Sequence, residues 1–368
     1  MKKELIYITY QTFPANTANS IQTISTLKYF FRHGLKTTLI FPLRNKESSS
    51  EVTDLKNHYL FNEDIQVKGT IHPLPFKKFL FFERFTYLIS HFLWSYFTVR
   101  KYSKIYINKQ FFTRSEWVFY FLSNKNKDVV YECHQLSKLK IYLVNKALEK
   151  PNSKVITLTS YLKKELDNKY TKKIEIIGSS YDNDFFQNSN NKSSTFVYAG
   201  SVHRFGDSRG LNIITNKLDS LSNKNLKFII ISSKNENLDE FKHLFQKNNP
   251  TIEIEIFYEL SQEKVGQILS TSSVGLLINN KSKHSEFYSS PLKYFEYLAS
   301  GLNVVATNLD SHKNLPFQNK IIFYDYDDVA SFQDAIIQSI KLDTSVENDI
   351  YLYSMENRVK KIINLFTS

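Results

Sequence analysis

Cysteine is all but missing from this sequence. With Cys133 alone, no intramolecular disulfide forms and no cysteine-based metal cluster is assembled. A reducing cytoplasm suits such a chain. Long apolar runs are missing as well: no stretch reaches the roughly 18 consecutive apolar residues of a membrane-spanning helix, so none is expected. The opening Met1-Lys2-Lys3-Glu4-Leu5-Ile6-Tyr7-Ile8 shares only its lysines with a signal sequence, and its short apolar run reads as a first buried strand. No internal repeat is visible. With 42% hydrophobic and 23% charged residues, disordered, collagen-like and coiled-coil classes are set aside.

One half also lacks the cationic excess of the other. Residues 1–187 hold 29 Lys and Arg against 16 Asp and Glu, a net of +13, while residues 188–368 hold 19 against 20, a net of −1. A basic half meets polyanions, either nucleic acid or an anionic membrane surface, or is simply well solvated.

At 368 residues the chain suits two α/β domains better than one core. Short apolar runs alternate with amphipathic stretches, the pattern of a parallel sheet flanked by helices. Strands are expected at 5–10, 37–41, 104–108, 129–132 and 155–158, with a helix from Ile21 to Phe31 that Gly34 stops. The polar stretch 188–194 reads as a linker between a first domain, 1–187, and a second, 195–345, with residues 346–368 following. After the linker, strands are expected at 196–199, 228–232, 254–258, 274–278, 303–306 and 321–323. Helices are expected at 210–221, 262–270, 291–300 and 329–340.

The most informative segment runs Tyr288-Ser289-Ser290-Pro291-Leu292-Lys293-Tyr294-Phe295-Glu296 and on to Gly301. Ser-Ser-Pro before a helical pattern predicts a capped helix start, where free N–H groups and the helix dipole favour a diphosphate. Lys293 adds a full charge. Glu296 lies on a neighbouring helical position, where a carboxylate accepts hydrogen bonds from two ribose hydroxyls.

This segment closely resembles the signature of the retaining family 4 glycosyltransferases of GT-B fold (glycosyl transferases group 1). The resemblance covers most of residues 195–368 and implies two Rossmann-like domains with parallel sheets facing across a cleft, the terminal helix crossing back. It implies donor-diphosphate binding by Ser289, Ser290, Pro291, Leu292 and Lys293, ribose binding by Glu296, and places for Gly200 and Tyr288 at the donor as well. It also implies no resident cofactor or metal, the co-substrate being a nucleoside diphosphate sugar. Bacterial surface polysaccharide assembly, such as capsule or O-antigen, is the commonest setting of such relatives. The sequence departs from the family at Tyr288, where many members have a second glutamate, and at Asn303, where proline is usual. Near Gly200, Ser201 stands at an arginine position, with Arg204 displaced and Arg209 where a lysine usually precedes glycine. Arg204 and Arg209 are expected to neutralise the leaving diphosphate, or else to be surface arginines.

In the first half, Glu132-Cys133-His134 ends a strand and looks like the family's Glu-x-His segment, whose histidine reaches the transferred sugar; a satisfied core histidine is the alternative. Thr17, Asn19 and Ser20 occupy the loop where relatives have glycines against the sugar phosphate. Asp325-Tyr326-Asp327 has the Asp-x-Asp form of a metal-bound diphosphate site, but it directly precedes a helix and is expected to cap it. Residues 73–117 interleave basic and aromatic residues, among them Lys77, Arg84, Phe92, Tyr96, Arg100 and Arg114. That mixture fits a segment lying on the inner face of an anionic membrane beside a lipid-linked saccharide acceptor, or a buried aromatic helix; nucleic acid is not expected as a partner. Competing readings of the whole are a sugar-nucleotide epimerase of the same fold and a non-catalytic binding protein.

Overall fold

The computed structural model describes residues 3–44, 47–72, 83–166, 168–204, 207–222, 224–233 and 238–366, and leaves out the side chains of Glu83, Arg84, Arg204 and Asp207. The chain divides into two units, Met1–Gly178 with Arg358–Ser368, and Ser179–Asn357.

The first unit lays down β1 (Glu4–Ile8), α1 (Ala18–Arg32), β2 (Lys36–Leu43), α2 (Val52–Tyr59), β3 (Gln66–Ile71), α3 (Glu83–Ile105), β4 (Gln110–Thr113), α4 (Glu116–Ser123), β5 (Val129–Cys133), α5 (Lys138–Leu148), β6 (Ser153–Thr157), α6 (Ser160–Lys164) and β7 (Ile174–Ile176). Its sheet is parallel throughout, in the order β3-β2-β1-β4-β5-β6-β7. Leu5, Ile6, Tyr7 and Ile8 are wholly buried, as a central parallel strand covered on both faces requires. The winding reverses between β1 and β4, so a crevice is expected at their carboxyl ends. The strand expected at 104–108 is not there. α3 runs to Ile105, and Ile105 and Ile107 are 55% and 65% exposed, whereas the true strand begins at Gln110 and buries Phe111 and Phe112. Alternating isoleucines mimicked a strand at the end of a long helix.

The second unit continues with β8 (Ser193–Ala199), the hairpin β9 (His203–Arg204) and β10 (Asp207–Ser208), β11 (Lys227–Ser232), α7 (Asp239–Asn248), β12 (Glu253–Tyr258), α8 (Gln262–Thr271), β13 (Ser272–Leu277), α9 (Leu292–Ala299), β14 (Asn303–Thr307), α10 (Asp310–Lys313), β15 (Ile321–Tyr324), α11 (Val329–Ile340) and the start of α12 (Met355–Leu365). Its sheet, again parallel, has the order β12-β11-β8-β13-β14-β15, reversing between β8 and β13. Alternate strand residues feed two cores. Phe196, Tyr198, Phe228 and Ile230 pack on one face, Val197, Ile229 and Ile231 on the other.

The helix expected at 210–221 is two 3₁₀ turns, Leu211–Thr215 and Asp219–Leu221. The buried Asn249 side chain accepts from Leu218 N–H and donates to the Asn216 carbonyl, holding the chain out of helical pairing between them. Residues 179–194 also lie inside the second unit. Phe186 is in its core, and Gly266 lets the Phe185 carbonyl come within 2.0 Å of where a Cβ would stand. From Arg358 onward α12 belongs to the first unit, where Gln110 donates to the Phe366 carbonyl.

Candidate functional site

In the second unit the expected residues gather at the carboxyl edge of the sheet, beside the reversal point. Pairing of β8 with β13 runs to Val197 and Gly275 and then stops. Beyond it the buried Tyr297 hydroxyl accepts the Ala199 N–H at 3.0 Å and donates to the Leu276 carbonyl at 3.4 Å, standing between the two strands. Gly275 makes room for that ring, since a Cβ there would lie 2.2 Å from it.

Lys293 and Glu296 occupy the first turns of α9 and are 9% and 8% exposed. The Lys293 ammonium has no hydrogen-bond partner, lies 4.0 Å from the Tyr198 ring centroid and is 4.0 Å from where a Cβ on Gly200 would stand. Gly200 itself has φ 143°, a conformation that favours glycine. Burial first, then the neighbouring Arg209, pushes Lys293 well below the ordinary lysine range against the opposing pull of Glu296. A buried cation held by an aromatic face alone is costly unless an anion joins it.

Arg209 is aimed from behind by a relay. Its Nη1 donates to Asn279 Oδ1 at 3.4 Å, Asn279 Nδ2 lies 3.3 Å from His312 Nε2, and His312 Nδ1 lies 2.8 Å from the Thr307 carbonyl. The carbonyl only accepts, so Nδ1 carries the imidazole hydrogen and Nε2 accepts from Asn279. Neither Asn279 nor His312 was singled out in the sequence. Asn279 directly follows a buried strand, the same signal that marked His134.

Glu296 is pushed up to about 8 from an ordinary 4.5, by burial first and by Asp182 second. The folded protein therefore keeps a proton that the unfolded chain releases between those values. The second unit is expected to lose stability as pH rises from about 4.5 to about 8, and Glu296→Gln to flatten that slope in thermal melts taken across the range.

The serines behave differently from expectation. Pro291 takes the N-cap position of α9, and no side chain caps the helix. Ser290 Oγ instead accepts the Ser179 N–H at 2.9 Å, and Ser179 Oγ donates to the Ser290 carbonyl at 2.6 Å. Ser289 and Leu292 flank the helix start, half-buried, leaving its first N–H groups on the same edge as Lys293. Tyr288 is buried at the end of a π-turn, His284–Tyr288. Two residues before it, Glu286 caps α10 by accepting from Asp310 N–H. Asn303 is buried and donates to the Ser339 and Leu342 carbonyls at the end of α11. Asp328 caps α11, and Asp325 accepts from Asn308. The Arg204 backbone lies in β9, and its side chain is outside the described atoms.

In the first unit, the expected residues meet through Arg114. Thr17 caps α1 by accepting from Ser20 N–H. Arg114 donates to the Asn19 carbonyl at 3.0 Å and pairs with Glu132 at 2.6 Å. Glu132 also faces Arg358 at 2.8 Å and His134 Nε2 at 2.6 Å. Burial opposes its charge, but Arg114 and Arg358, aided by the His134 hydrogen bond, hold it well below the ordinary carboxylate range. Burial and then Arg114 lower His134, whose side chain remains a quarter exposed. Arg358 was legible in principle: it stands at buried-face spacing between Met355 and Ile362 on α12. A cavity of about 560 Å³ also exists in this unit, but Lys3, Glu4, Gln110 and Asp128 place it at the amino ends of the strands, away from these residues.

Residues 193–341, less than half of the chain, match the family Glycosyl transferases group 1. No curated protein sequence matches. Among solved structures, the fold is similar to a glycosyltransferase from Rickettsia africae (14% identity, 99% of this chain and 94% of that one, TM-score 0.61). It is similar to Anabaena HepE in complex with UDP and glucose (10% identity, 99% of both chains, TM-score 0.64). It is also similar to a TarM variant from S. aureus in complex with fondaparinux, alpha-GlcNAc-glycerol and UDP (10% identity, 100% of both chains, TM-score 0.67). The chain thus has the two parallel-sheet, Rossmann-like units of GT-B glycosyltransferase structures, and residues 193–341 of its second unit match the glycosyl transferases group 1 family model.

Proposed function

We propose that the protein is a retaining, family 4 glycosyltransferase that moves a sugar from a nucleoside diphosphate sugar to a hydroxyl of a saccharide or lipid-linked saccharide, in the assembly of a bacterial surface polysaccharide. The observation that carries this reading is the buried Lys293 ammonium at the start of α9, beside Arg209 and with no hydrogen-bond partner among the described residues. In the reaction the bond from the sugar C1 to the diphosphate oxygen breaks, the acceptor oxygen bonds to C1, and the acceptor's proton leaves with the diphosphate. Charge gathers on the departing group, and Lys293, Arg209 and the α9 N–H groups stabilise it, so the reading needs no metal and no resident cofactor. Glu296 holds the ribose, Gly200 lets the donor approach, and His134 is assigned to a hydroxyl of the sugar.

Thermal stabilisation by UDP-, GDP-, CMP- and ADP-sugars, with Glu296→Ala as control, tests the donor site. A shift with one base that vanishes in the variant is the expected result; no shift with any donor rejects it. Donor consumption without an acceptor would favour the epimerase, and binding without turnover a non-catalytic protein.

The reading also places the protein on the inner face of an anionic membrane. No helix among the described residues is long and apolar enough to cross one. On α3, however, Phe85, Leu88, Phe92 and Tyr96 form one outward stripe that continues into exposed Arg100, Lys101 and Lys104. Trp117 and Phe121 of α4 meet Phe92 edge to face, with ring centroids 4.9 and 5.6 Å away. Residues 73–82 of the expected segment lie outside the described residues. Replacing Phe92 and Tyr96 by serine, or Arg100, Lys101 and Lys104 by glutamate, is expected to weaken co-sedimentation with phosphatidylglycerol vesicles at least tenfold. Equal binding to neutral vesicles would reject the electrostatic part.

A further inference from the structure

Two arginines from distant parts of the chain converge under His134, and the reaction described above assigns them no part. Glu132 is fully buried, with Arg114 on Oε1 at 2.6 Å and Arg358 on Oε2 at 2.8 Å; the two guanidinia are 4% and 1% exposed. Arg358 is fixed in turn, its Nε donating to the Gly178 carbonyl at 2.9 Å. Arg114 is fixed by the Asn19 carbonyl and by Thr23 Oγ1 at 3.3 Å. His134 Nε2 then meets Oε1 at 2.6 Å. A carboxylate held by two guanidinia is ionised and only accepts, so the imidazole nitrogen facing it carries the hydrogen. Nδ1 is left with a free lone pair on a side chain that reaches solvent.

We propose that Arg358 is a positioning residue for sugar transfer: with Arg114 it keeps Glu132 ionised, and Glu132 fixes His134 as the neutral Nε2–H tautomer, presenting Nδ1 as an acceptor for a substrate hydroxyl. This rests on the reading of His134 as a sugar-facing residue. The charged groups acting on the imidazole are Glu132 on its own segment, Arg114 after β4 and Arg358 on α12, and Tyr7 on β1 stands near those same three groups. Two cations against one carboxylate leave a local excess of positive charge, which disfavours a third cation on the imidazole. The last turns of the chain therefore set the protonation of a residue near its middle.

Imidazole ¹⁵N spectra across pH, on the full chain, test this without relying on activity. The wild type is expected to show His134 as Nε2–H with a titration midpoint below that of a free histidine. Arg358→Met, which keeps the bulk and removes the charge, is expected to raise that midpoint and to lower kcat at least tenfold with donor KM within about twofold. Arg358→Lys is expected to restore both in part, and it serves as the readout if the methionine variant does not fold. An Nδ1–H tautomer in the wild type, or an unchanged midpoint in either variant, overturns the proposal. A raised midpoint with an unchanged transfer rate overturns its role in transfer. If the wild type transfers no sugar, the functional reading fails, and the spectra still decide whether Arg358 governs the tautomer.

Discussion

Lys293→Met is expected to slow sugar transfer by about 10²–10³ while making the free protein more stable. The two effects have one cause. The ammonium is buried with no hydrogen-bond partner among the described residues and with Arg209 close by, so the folded state carries the cost of a poorly compensated charge. Methionine fills nearly the same volume without it. A gain of about 1 kcal/mol, or about 2–4 °C in the melting temperature of a unit this size, is the expected scale. Once a diphosphate is present the balance reverses, because the cation then faces developing negative charge in a place from which water is excluded. Thermal melts with and without nucleoside diphosphate, alongside a transfer assay, measure both halves. Undiminished transfer in the variant would remove Lys293 from the mechanism. A large drop in stability without ligand would show that the ammonium is compensated within the fold.

The second large effect is expected at Glu132. Glu132→Leu leaves Arg114 and Arg358 buried together without their shared anion, at a cost of about 3–5 kcal/mol. Urea unfolding followed by tryptophan fluorescence reads this cleanly, since both tryptophans, Trp94 and Trp117, belong to the first unit. The same group sets an acid limit. Its folded pKa is depressed, so its contribution is complete above the ordinary carboxylate range and is lost as pH falls towards the lower folded value. The first unit should therefore weaken in acid, the direction opposite to that expected from Glu296 in the second. A urea midpoint unchanged by Glu132→Leu would mean that the arginines find other partners.

The sequence was most legible where the chain obeys simple periodicity. α11 begins and ends where expected, at Val329 and Ile340, and each strand expected after residue 195 is present to within three residues at its ends. Lys293 and Glu296 could be placed on one helix from their spacing alone, and the structure brings them to the sheet edge with Gly200 and Arg209. What escaped was set by contacts far apart in sequence. Asn249 breaks the helix expected at 210–221, and Ser179 claims Ser290, expected to be a cap. Arg358 comes to Glu132 only because α12 returns to the first unit. Spacing marks Arg358 as buried, but the identity of a polar group's distant partner leaves no local pattern to read.

The phenol of Tyr297 bears on how tightly the site can bind. Because its hydroxyl accepts from Ala199 N–H on β8 and donates to the Leu276 carbonyl on β13, the two strands separate there without leaving either backbone group bare. The gap between the strands is thus shaped during folding, and a nucleotide bound there as proposed would not spend its own binding energy on prising the sheet apart. Tyr297→Phe keeps the ring and removes the prop, so it should weaken donor affinity while leaving every residue that touches the nucleotide in place.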